Sequence, residues 1–307
     1  MKHDLLEDRQ LPLVSVLIPF HNAAGTISFA LQQLDLLDYP RLEFVFIDDG
    51  SSDDAAVLVA AWVASHPKAR LLIHSTNLGI GVTRCDLLAA ANGDYVWFVD
   101  ADDKWQPSIV SDLVAACIDN AADVAICSFR QTSADGRKKR ETVYLPQLIA
   151  GRDIAPLLYR EQVTGQLWNK LLRRTLFGTV EPFPPLRLRE DFVGLVPALS
   201  RASRVIFIPS VLYQYIRHPQ SLVSKQPYDR LSLAAPVQVL AATFPADWWH
   251  GLPTSYLTMR FYLRSYLLQI VKHYFTSLLL FSRQTRQMLF GSRFRVPDLP
   301  NGVPRRR

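Results

Sequence analysis

Short apolar runs alternate with longer helical stretches over the first hundred residues. The apolar runs, rich in Val, Ile, Leu and Phe, cover residues 13–19, 42–47, 69–75 and 95–99. Runs of this length and composition predict strands that are buried on both faces. The intervening segments 21–37, 55–66 and 79–93 predict helices. This alternation predicts an α/β fold with a mainly parallel sheet and flanking helices, which binds ligands at the carboxyl ends of its strands.

The pattern becomes less regular after Pro107. A helix is predicted to about residue 120, followed by a strand over 123–129 and an exposed charged turn over 133–141. A proline-rich stretch, 181–185, then leads into a helix that opens with Glu190 and Asp191. Two further strands are predicted over 204–209 and 211–218, and long aromatic helices follow residue 224.

Composition narrows the class of protein. With 307 residues, of which 49% are hydrophobic and 20% charged, the chain can bury a large core. Its three cysteines lack metal-ligand spacing, which predicts neither a zinc site nor disulfides and suits a reducing cytosol. The first residues lack the basic-then-apolar order of a signal peptide, and no apolar run is long enough to span a membrane. We therefore expect a cytoplasmic globular protein.

Three carboxylates crowd the end of the fourth predicted strand, at Asp100, Asp102 and Asp103. Two such charges ~6 Å apart repel by roughly 3 kcal/mol at an effective dielectric of ~20. Strand alternation would place Asp100 and Asp102 on one side and Asp103 elsewhere. A shared Mg²⁺ or Mn²⁺ ion would neutralise the pair and also hold phosphate oxygens. The alternative is an acidic turn that caps the following helix.

A second acidic strand end lies at Asp48 and Asp49, before Gly50 and two serines. Ser51, Ser52 and Asp53 would also serve as a helix N-cap, so a purely structural turn is an alternative. Two acidic strand ends at one edge of a sheet nevertheless indicate a pocket for a nucleotide diphosphate.

These segments together resemble a known enzyme family. The pieces that carry the resemblance are VSVLIPFHN (14–22), FIDDGSSDD (46–54), NLGIGVTR (77–84), GDYVWFVDADD (93–103), LWNKLLRR (167–174), LREDF (188–192) and YQYIRHPQSLV (213–223). In order and spacing the chain is similar to family 2 glycosyltransferases with the GT-A fold. The resemblance extends to about residue 224. It implies a nucleotide-sugar-binding half over 11–104 and an acceptor-binding half over 105–224, which leaves 225–307 as a helical, basic extension.

The resemblance also implies roles for single residues. Pro19 and Asn22 would line the pocket for the base, Asp49 would accept a hydrogen bond from it, and Arg84 would approach the base or the phosphates. Asp100 would contact the ribose and share the metal, while Asp102 would be the principal metal ligand. Arg217 and His218 would reach the diphosphate from a closing loop, with His218 as a third metal ligand or merely a structural histidine. His21 and Cys85 replace the family's usual tyrosine and asparagine.

Asp191 is the implied general base. A sugar hydroxyl is a weak nucleophile at neutral pH and gains from a carboxylate that takes its proton. The neighbouring Glu190 would raise the pKa of Asp191. Alternatively, both acids only complement the dipole of the helix N-terminus. Trp168 likewise has two interpretations, stacking on a sugar or packing in the core.

The C-terminal part carries the net positive charge. Residues 283–307 hold seven arginines against one acid, Asp298. The helices of the extension would pack on the catalytic domain or a twin subunit, or lie on an anionic membrane surface. No element typical of nucleic-acid recognition accompanies these charges, so we expect no nucleic-acid partner.

The expected function is that of an inverting, metal-dependent glycosyltransferase for bacterial surface polysaccharide. The donor would be a nucleotide-diphosphate sugar, most simply a UDP-sugar, and the acceptor a hydroxyl of a glycan or lipid-linked glycan. A sugar nucleotidyltransferase is the enzymatic alternative, although PFHNAAGT lacks the lysine of its phosphate loop. A binding module without turnover is the other alternative.

Overall fold

Ten strands form one mixed sheet. The computed structural model describes residues 11–137, 139–178, 181–186, 188–218 and 230–244. The strands are β1 (Val14–Phe20), β2 (Leu42–Asp48), β3 (Ala69–Ile73), β4 (Tyr95–Phe98), β5 (Lys104–Trp105), β6 (Val124–Ser133), β7 (Lys139–Thr142), β8 (Gln147–Ile149), β9 (Lys170–Arg173) and β10 (Val205–Arg217).

Seven α-helices are present among the described residues. They are α1 (Ile27–Asp35), α2 (Ala55–Ala64), α3 (Ile80–Ala90), α4 (Ile109–Asp119), α5 (Ala155–Tyr159), α6 (Glu190–Arg201) and α7 (Arg230–Thr243). None of these helices has the length and apolar character that crossing a membrane requires. Helix α7 packs on α6 and is the described part of the predicted C-terminal extension. The rest of that extension, 225–229 and 245–307, lies outside the described residues, so packing and membrane contact both stay predictions for it.

The order of the sheet is β3-β2-β1-β4-β9-β6-β10-β5, with β7 on β6 and β8 on β10. Strands β1 to β4 pair in parallel, as the apolar runs predict, so their carboxyl ends meet at one edge. Strand β9 pairs antiparallel to both β4 and β6, and thereby joins the two halves of the chain into one sheet.

The prediction of two strands over 204–218 is wrong. A single strand, β10, runs through both segments and pairs in parallel with β6 over its whole length. Its register shifts between Ile208 and Val211 and again before Tyr213. Pro209 has no N–H to donate to a ladder, and a bulge allows the strand to continue past it. The predicted charged turn 133–141 is shorter than expected: residues 134–137 are the exposed tip of the β6–β7 hairpin, and 139–141 belong to β7.

Close packing of α3 against the proline-rich stretch brings the two halves together. A Cβ on Gly81 would lie 2.3 Å from the backbone oxygen of Pro184. Only glycine permits this approach, which places residues 182–185 over the N-terminal turn of α3. The same stretch leads into α6, so the position of α6 depends on this contact.

We expect Gly81→Ala to destabilise the fold by about 1–3 kcal/mol, because the neighbouring atom is backbone and cannot rotate away. Gly25→Ala is the matched control, since nothing lies within 4 Å of its added Cβ. Urea unfolding of both variants measures the difference. Equal stability of the two variants would contradict the close approach.

Candidate active site

One cleft contains every residue that the sequence predicts for the site. It lies at the carboxyl ends of β1, β2 and β4 and has a volume of about 1600 Å³. Its lining includes Pro19, Asn22, Asp49, Arg84, Asp100, Asp102, Asp191, Arg217 and His218. The parallel strands supply one wall, while β6, β7, β10 and the start of α6 supply the other. The roles implied for these residues remain predictions, since their positions alone do not test them.

The turn after β4 separates its three carboxylates. Strand β4 ends at Phe98, so strand alternation does not govern residues 99–103, contrary to the prediction. The amide of Asp103 donates to the carbonyl of Asp100 across the turn, at 3.2 Å. The side chains of Asp100 and Asp102 are 32% and 42% exposed, whereas Asp103 is buried. Asp103 is therefore set apart from the other two, by a turn and not by a strand.

Asp103 joins the acidic turn to β10. Its carboxylate accepts hydrogen bonds from the Tyr213 hydroxyl at 2.8 Å and from the Ile216 amide at 2.7 Å. Burial, followed by the charges of Asp100 and Asp102, raises the pKa of Asp103 well above its ordinary value. The contact holds the end of β10, from which Arg217 and His218 extend, beside the acidic turn.

Arg84 offsets part of the acidic crowding. Its buried guanidinium donates to the Glu190 carboxylate, and its Nη2 lies 3.5 Å from Asp100 Oδ1. The two carboxylates raise the pKa of Arg84 despite the opposing effect of its burial. The negative charge of the acidic turn, which the sequence predicts a metal ion to neutralise, is thus partly balanced by the guanidinium of Arg84.

Of the three predicted metal ligands, Asp102 and His218 lie near each other in the cleft. The Nε2 of His218 lies 4.0 Å from Asp102 Oδ2. Burial, and next the charge of Asp100, raises the pKa of Asp102 to about 6, which His218 partly opposes. Across the described ranges, no three His, Cys, Asp or Glu side chains form a metal-binding group. Mg²⁺ usually binds one or two carboxylates together with water and substrate phosphates, so this set fits an ion shared with a diphosphate.

Asp191 lies in the first turn of α6, as predicted. The residue before the helix, Arg189, adopts the left-handed conformation with a φ of 68°, and Asp191 Oδ1 accepts from the Phe192 amide at 2.7 Å. Burial is the main cause that raises the pKa of Asp191, with Arg84 and Lys170 opposing and Asp100 adding to it. The predicted increase is present, but its principal cause is burial and not the neighbouring Glu190.

Glu190 points to Arg84. Burial raises the pKa of Glu190 to about 7, although Arg84 opposes the increase. Both carboxyls line the cleft, but they have different partners: Glu190 pairs with buried Arg84, and Asp191 accepts from the Phe192 amide. Sequence reasoning missed this pairing because the two partners are 106 positions apart.

Asp49 is held by the chain around it. Its carboxylate accepts from the amides of Leu78 at 2.8 Å and Gly79 at 2.9 Å, and lies 2.9 Å from His74 Nδ1. Burial would raise the pKa of Asp49, but these hydrogen bonds outweigh it and lower the pKa. His74 also lies 3.0 Å from Asp86 Oδ2 through its Nε2. His74, to which the sequence assigned nothing, therefore fixes the predicted nucleotide pocket.

Asn22 shapes the rim of the same pocket. Its φ of 50° and its side-chain oxygen, which accepts from the Ser52 amide at 2.8 Å, fix the turn after β1. Helix α1 begins at Ile27 and not at residue 21 as predicted. The residues before it form the turn after β1, which Asp53 holds by accepting a hydrogen bond from the Ala24 amide at 2.8 Å. The loop after β2 thus holds the turn after β1 and contributes Asp49 to the cleft, although the N-cap of α2, Asp54, makes no side-chain capping hydrogen bond.

Lys170 is a fully buried cation beneath the cleft floor. Its Nζ donates to the Gln166 carbonyl at 2.6 Å and to Asn169 Oδ1 at 2.8 Å. Burial lowers its pKa to about 7. The motif LWNK marked this position in the sequence, but nothing in the motif indicates burial of the lysine.

Trp168 belongs to the core and is 4% exposed. Its ring stacks on Tyr213 with centroids 4.6 Å apart and on Tyr215 at 5.7 Å. Of the two interpretations, core packing is therefore the one that this stack favours. The stack supports the cleft face of β10 from below.

Arg84→Met is expected to destabilise the protein by about 3–5 kcal/mol, because it leaves buried Glu190 without its cation. Adding Glu190→Gln to the variant should restore part of this loss. Arg70→Met is the control, since Arg70 pairs with Glu43 but its side chain is 47% exposed, and such pairs contribute about 0–1 kcal/mol. Denaturant unfolding gives the double-mutant cycle; strictly additive effects would contradict the coupling.

Lys170→Met is expected to change how stability depends on pH. Because the pKa of Lys170 falls from 10.5 to about 7 on folding, the unfolded chain binds more protons between these values. The wild type should therefore gain stability with rising pH, by up to about 1.4 kcal/mol per pH unit from this group. The variant should lack this contribution, whereas Lys104→Met, at an exposed lysine, should retain it. Parallel curves for the wild type and Lys170→Met would contradict the prediction.

Solved structures share this architecture. Staphylococcus aureus TarS 1–349 in complex with UDP-GlcNAc matches with a TM-score of 0.68 and 21% identity, over 91% of this chain and 76% of that one. The mannosyltransferase PcManGT from Pyrobaculum calidifontis, in complex with GDP-Man and Mn²⁺, matches with a TM-score of 0.52 and 19% identity, over 90% and 83%. These likenesses confirm the predicted GT-A fold.

The chain is also similar in sequence to curated bacterial proteins. The uncharacterized glycosyltransferase EpsJ of Bacillus subtilis is 28% identical over 226 residues, or 69% of this chain and 63% of its own length. The succinoglycan biosynthesis protein ExoO of Rhizobium meliloti is 30% identical over 214 residues, 67% and 61%. The chain thus spans less than two thirds of the length of these relatives.

Residues 15–179, more than half of the chain, match the model of glycosyl transferase family 2. The predicted family is confirmed: the chain belongs to glycosyl transferase family 2.

Proposed function

We propose that the chain is an inverting, metal-dependent glycosyltransferase that moves a sugar from a nucleotide-diphosphate donor to a hydroxyl of a glycan or lipid-linked glycan. The observation that carries this proposal is the meeting of Asp102, Asp191 and Arg217 in one cleft. A metal-binding carboxylate, a base and a phosphate-binding cation are the groups that this reaction needs. The relatives' printed roles, which include succinoglycan biosynthesis, support a polysaccharide acceptor.

Asp191 takes the proton of the acceptor hydroxyl in this mechanism. The oxygen attacks the anomeric carbon from the side opposite the leaving nucleotide, so the configuration inverts and no covalent enzyme intermediate forms. The increased pKa of Asp191 makes it a stronger base than an exposed aspartate. Its hydrogen bond from the Phe192 amide holds the carboxylate at the cleft wall.

The donor would lie along the first wall of the cleft. Pro19, Asn22 and Asp49 would contact the base, Asp100 the ribose, and Arg217 and His218 the diphosphate. A Mg²⁺ or Mn²⁺ ion on Asp102 would stabilise the negative charge that develops on the leaving diphosphate. UDP is the nucleotide that we propose, and the higher TM-score of the structure in complex with UDP-GlcNAc, compared with the one in complex with GDP-Man, supports it.

The location proposed for the enzyme is the cytoplasm, at the inner face of the membrane. The seven arginines over 283–307 would contact anionic headgroups there. This placement would bring the cleft to lipid-linked acceptors. Oligomerisation through the same extension is compatible with this placement.

The donor is tested by thermal-shift screening of UDP-, GDP- and dTDP-sugars with and without Mn²⁺. We expect one nucleotide to raise the melting temperature in a metal-dependent way, and Asp102→Asn to abolish this shift. Asp153→Asn is the control, because its exposed carboxylate lies outside the cleft. A shift that does not depend on metal would contradict the proposed site.

We expect Asp191→Asn to retain donor binding and to lower sugar transfer by about 10²–10⁴-fold, since the amide cannot accept the proton. Transfer is measured with a radiolabelled donor on extracted polysaccharide. Undiminished transfer would exclude Asp191 as the base. Release of pyrophosphate from a nucleoside triphosphate and a sugar phosphate would instead identify a nucleotidyltransferase.

A further inference from the structure

Strands β6, β7 and β10 form the far wall of the cleft, and their side chains form a mainly polar row on it. The register pairs Tyr215 of β10 with Gln131 of β6, and Gln131 with Arg140 of β7. Two residues before Gln131 on β6, Phe129 pairs with Thr142 of β7. All five side chains line the cleft. They share one face of the sheet because residues two positions apart on a strand point the same way.

The other face of the hairpin balances its own charge. Arg130 alternates with Gln131 and pairs with Glu141, with a distance of 2.8 Å from Nε to Oε1. Arg140 differs, since no Asp or Glu in the described parts of the chain lies within ion-pair distance of its guanidinium. The side chains of Gln131 and Thr142 likewise form no hydrogen bond within those residues. One arginine, one amide and one hydroxyl thus face the cleft with no ion-pair or hydrogen-bond partner for their side chains in the described part of the chain.

Arg140 lies apart from the proposed donor site. Strand β7 is two strands away from β10, which corresponds to about 10 Å between backbones. Arg84, which is paired with Glu190, lies beside the acidic turn, and Arg217 is at the end of β10 that Asp103 holds there. Arg140 instead lies on the β6–β7 hairpin, opposite Gln131. The leaving diphosphate therefore does not account for its charge.

We infer that Arg140, with Gln131 and Thr142, binds a negatively charged group of the acceptor, a carboxylate or a phosphate. This inference rests on the proposed function and specifies its acceptor class. The planar guanidinium donates two parallel hydrogen bonds to a carboxylate or phosphate, which a lysine cannot do. Amide and hydroxyl donors beside it complete a site for anionic oxygens. Such a site orients the acceptor so that its hydroxyl points to Asp191.

The test compares Arg140→Gln with Lys139→Gln. Lys139 is the adjacent residue, is exposed, and lies on the opposite face of the same strand. Acceptors are a soluble oligogalacturonide, its methyl ester, and a neutral disaccharide on a polyprenyl diphosphate. Each is assayed for transfer with the donor that the thermal shift identifies, and donor hydrolysis without acceptor is measured in parallel.

We expect Arg140→Gln to raise the KM for a charged acceptor roughly 10- to 100-fold, the effect of losing one charged hydrogen-bonding partner. Lys139→Gln should leave this KM unchanged, and Arg140→Lys should restore part of the affinity. Donor hydrolysis should be the same in all variants. An effect confined to the oligogalacturonide identifies a sugar carboxylate, and one confined to the polyprenyl substrate identifies the lipid diphosphate.

Three results would overturn the inference: preference for the methyl ester over the oligogalacturonide, equal effects of Arg140→Gln and Lys139→Gln, or transfer to none of the charged acceptors while donor hydrolysis persists. Loss of donor binding and hydrolysis in the wild type would be a different failure. It would remove the proposed function itself, and the acceptor class with it.

Discussion

The buried guanidinium of Arg84 is the contact on which the cleft depends. It extends from α3, in the half that resembles a nucleotide-binding domain, to Glu190 at the start of α6 in the other half, and also reaches Asp100 on the acidic turn. The charges of Arg84 and Glu190 are buried, and neither is stable alone in a low dielectric, so their pairing keeps both halves in register. The close approach at Gly81 in the same helix serves this contact. Because Asp191 is adjacent to Glu190, the pairing with Arg84 also sets the position of Asp191 relative to the proposed donor site.

Carboxylates of similar sequence context acquire different properties in this cleft. Asp49 is surrounded by amide donors that lower its pKa, whereas burial raises the pKa of Asp103 and Asp191. Asp102 remains 42% exposed beside His218. The environment thus separates a structural acid from the proposed base and the proposed metal ligand, although each stands near the end of a strand or the start of a helix.

The mixed sheet places the proposed donor region and the proposed acceptor region in one cleft. Strand β9 joins the parallel strands of the first half to β6 and β10, and the β6–β7 hairpin extends the sheet beyond the donor side. The carboxyl ends of the first strands face the proposed donor, and the hairpin faces the proposed acceptor. Asp103 holds the end of β10 between these two regions through Tyr213 and Ile216.

The sequence by itself determined the parallel strands, the acidic strand ends and their convergence in one cleft. Apolar runs specify buried strands, and the carboxyl ends of parallel strands must meet. Only the tertiary structure decided that Arg84 pairs with Glu190, that Lys170 is buried, that β10 is one strand, and that Arg140 shares a row with Gln131 and Tyr215. These relations join residues whose separation along the chain leaves no trace in local periodicity, because packing and strand register bring them together.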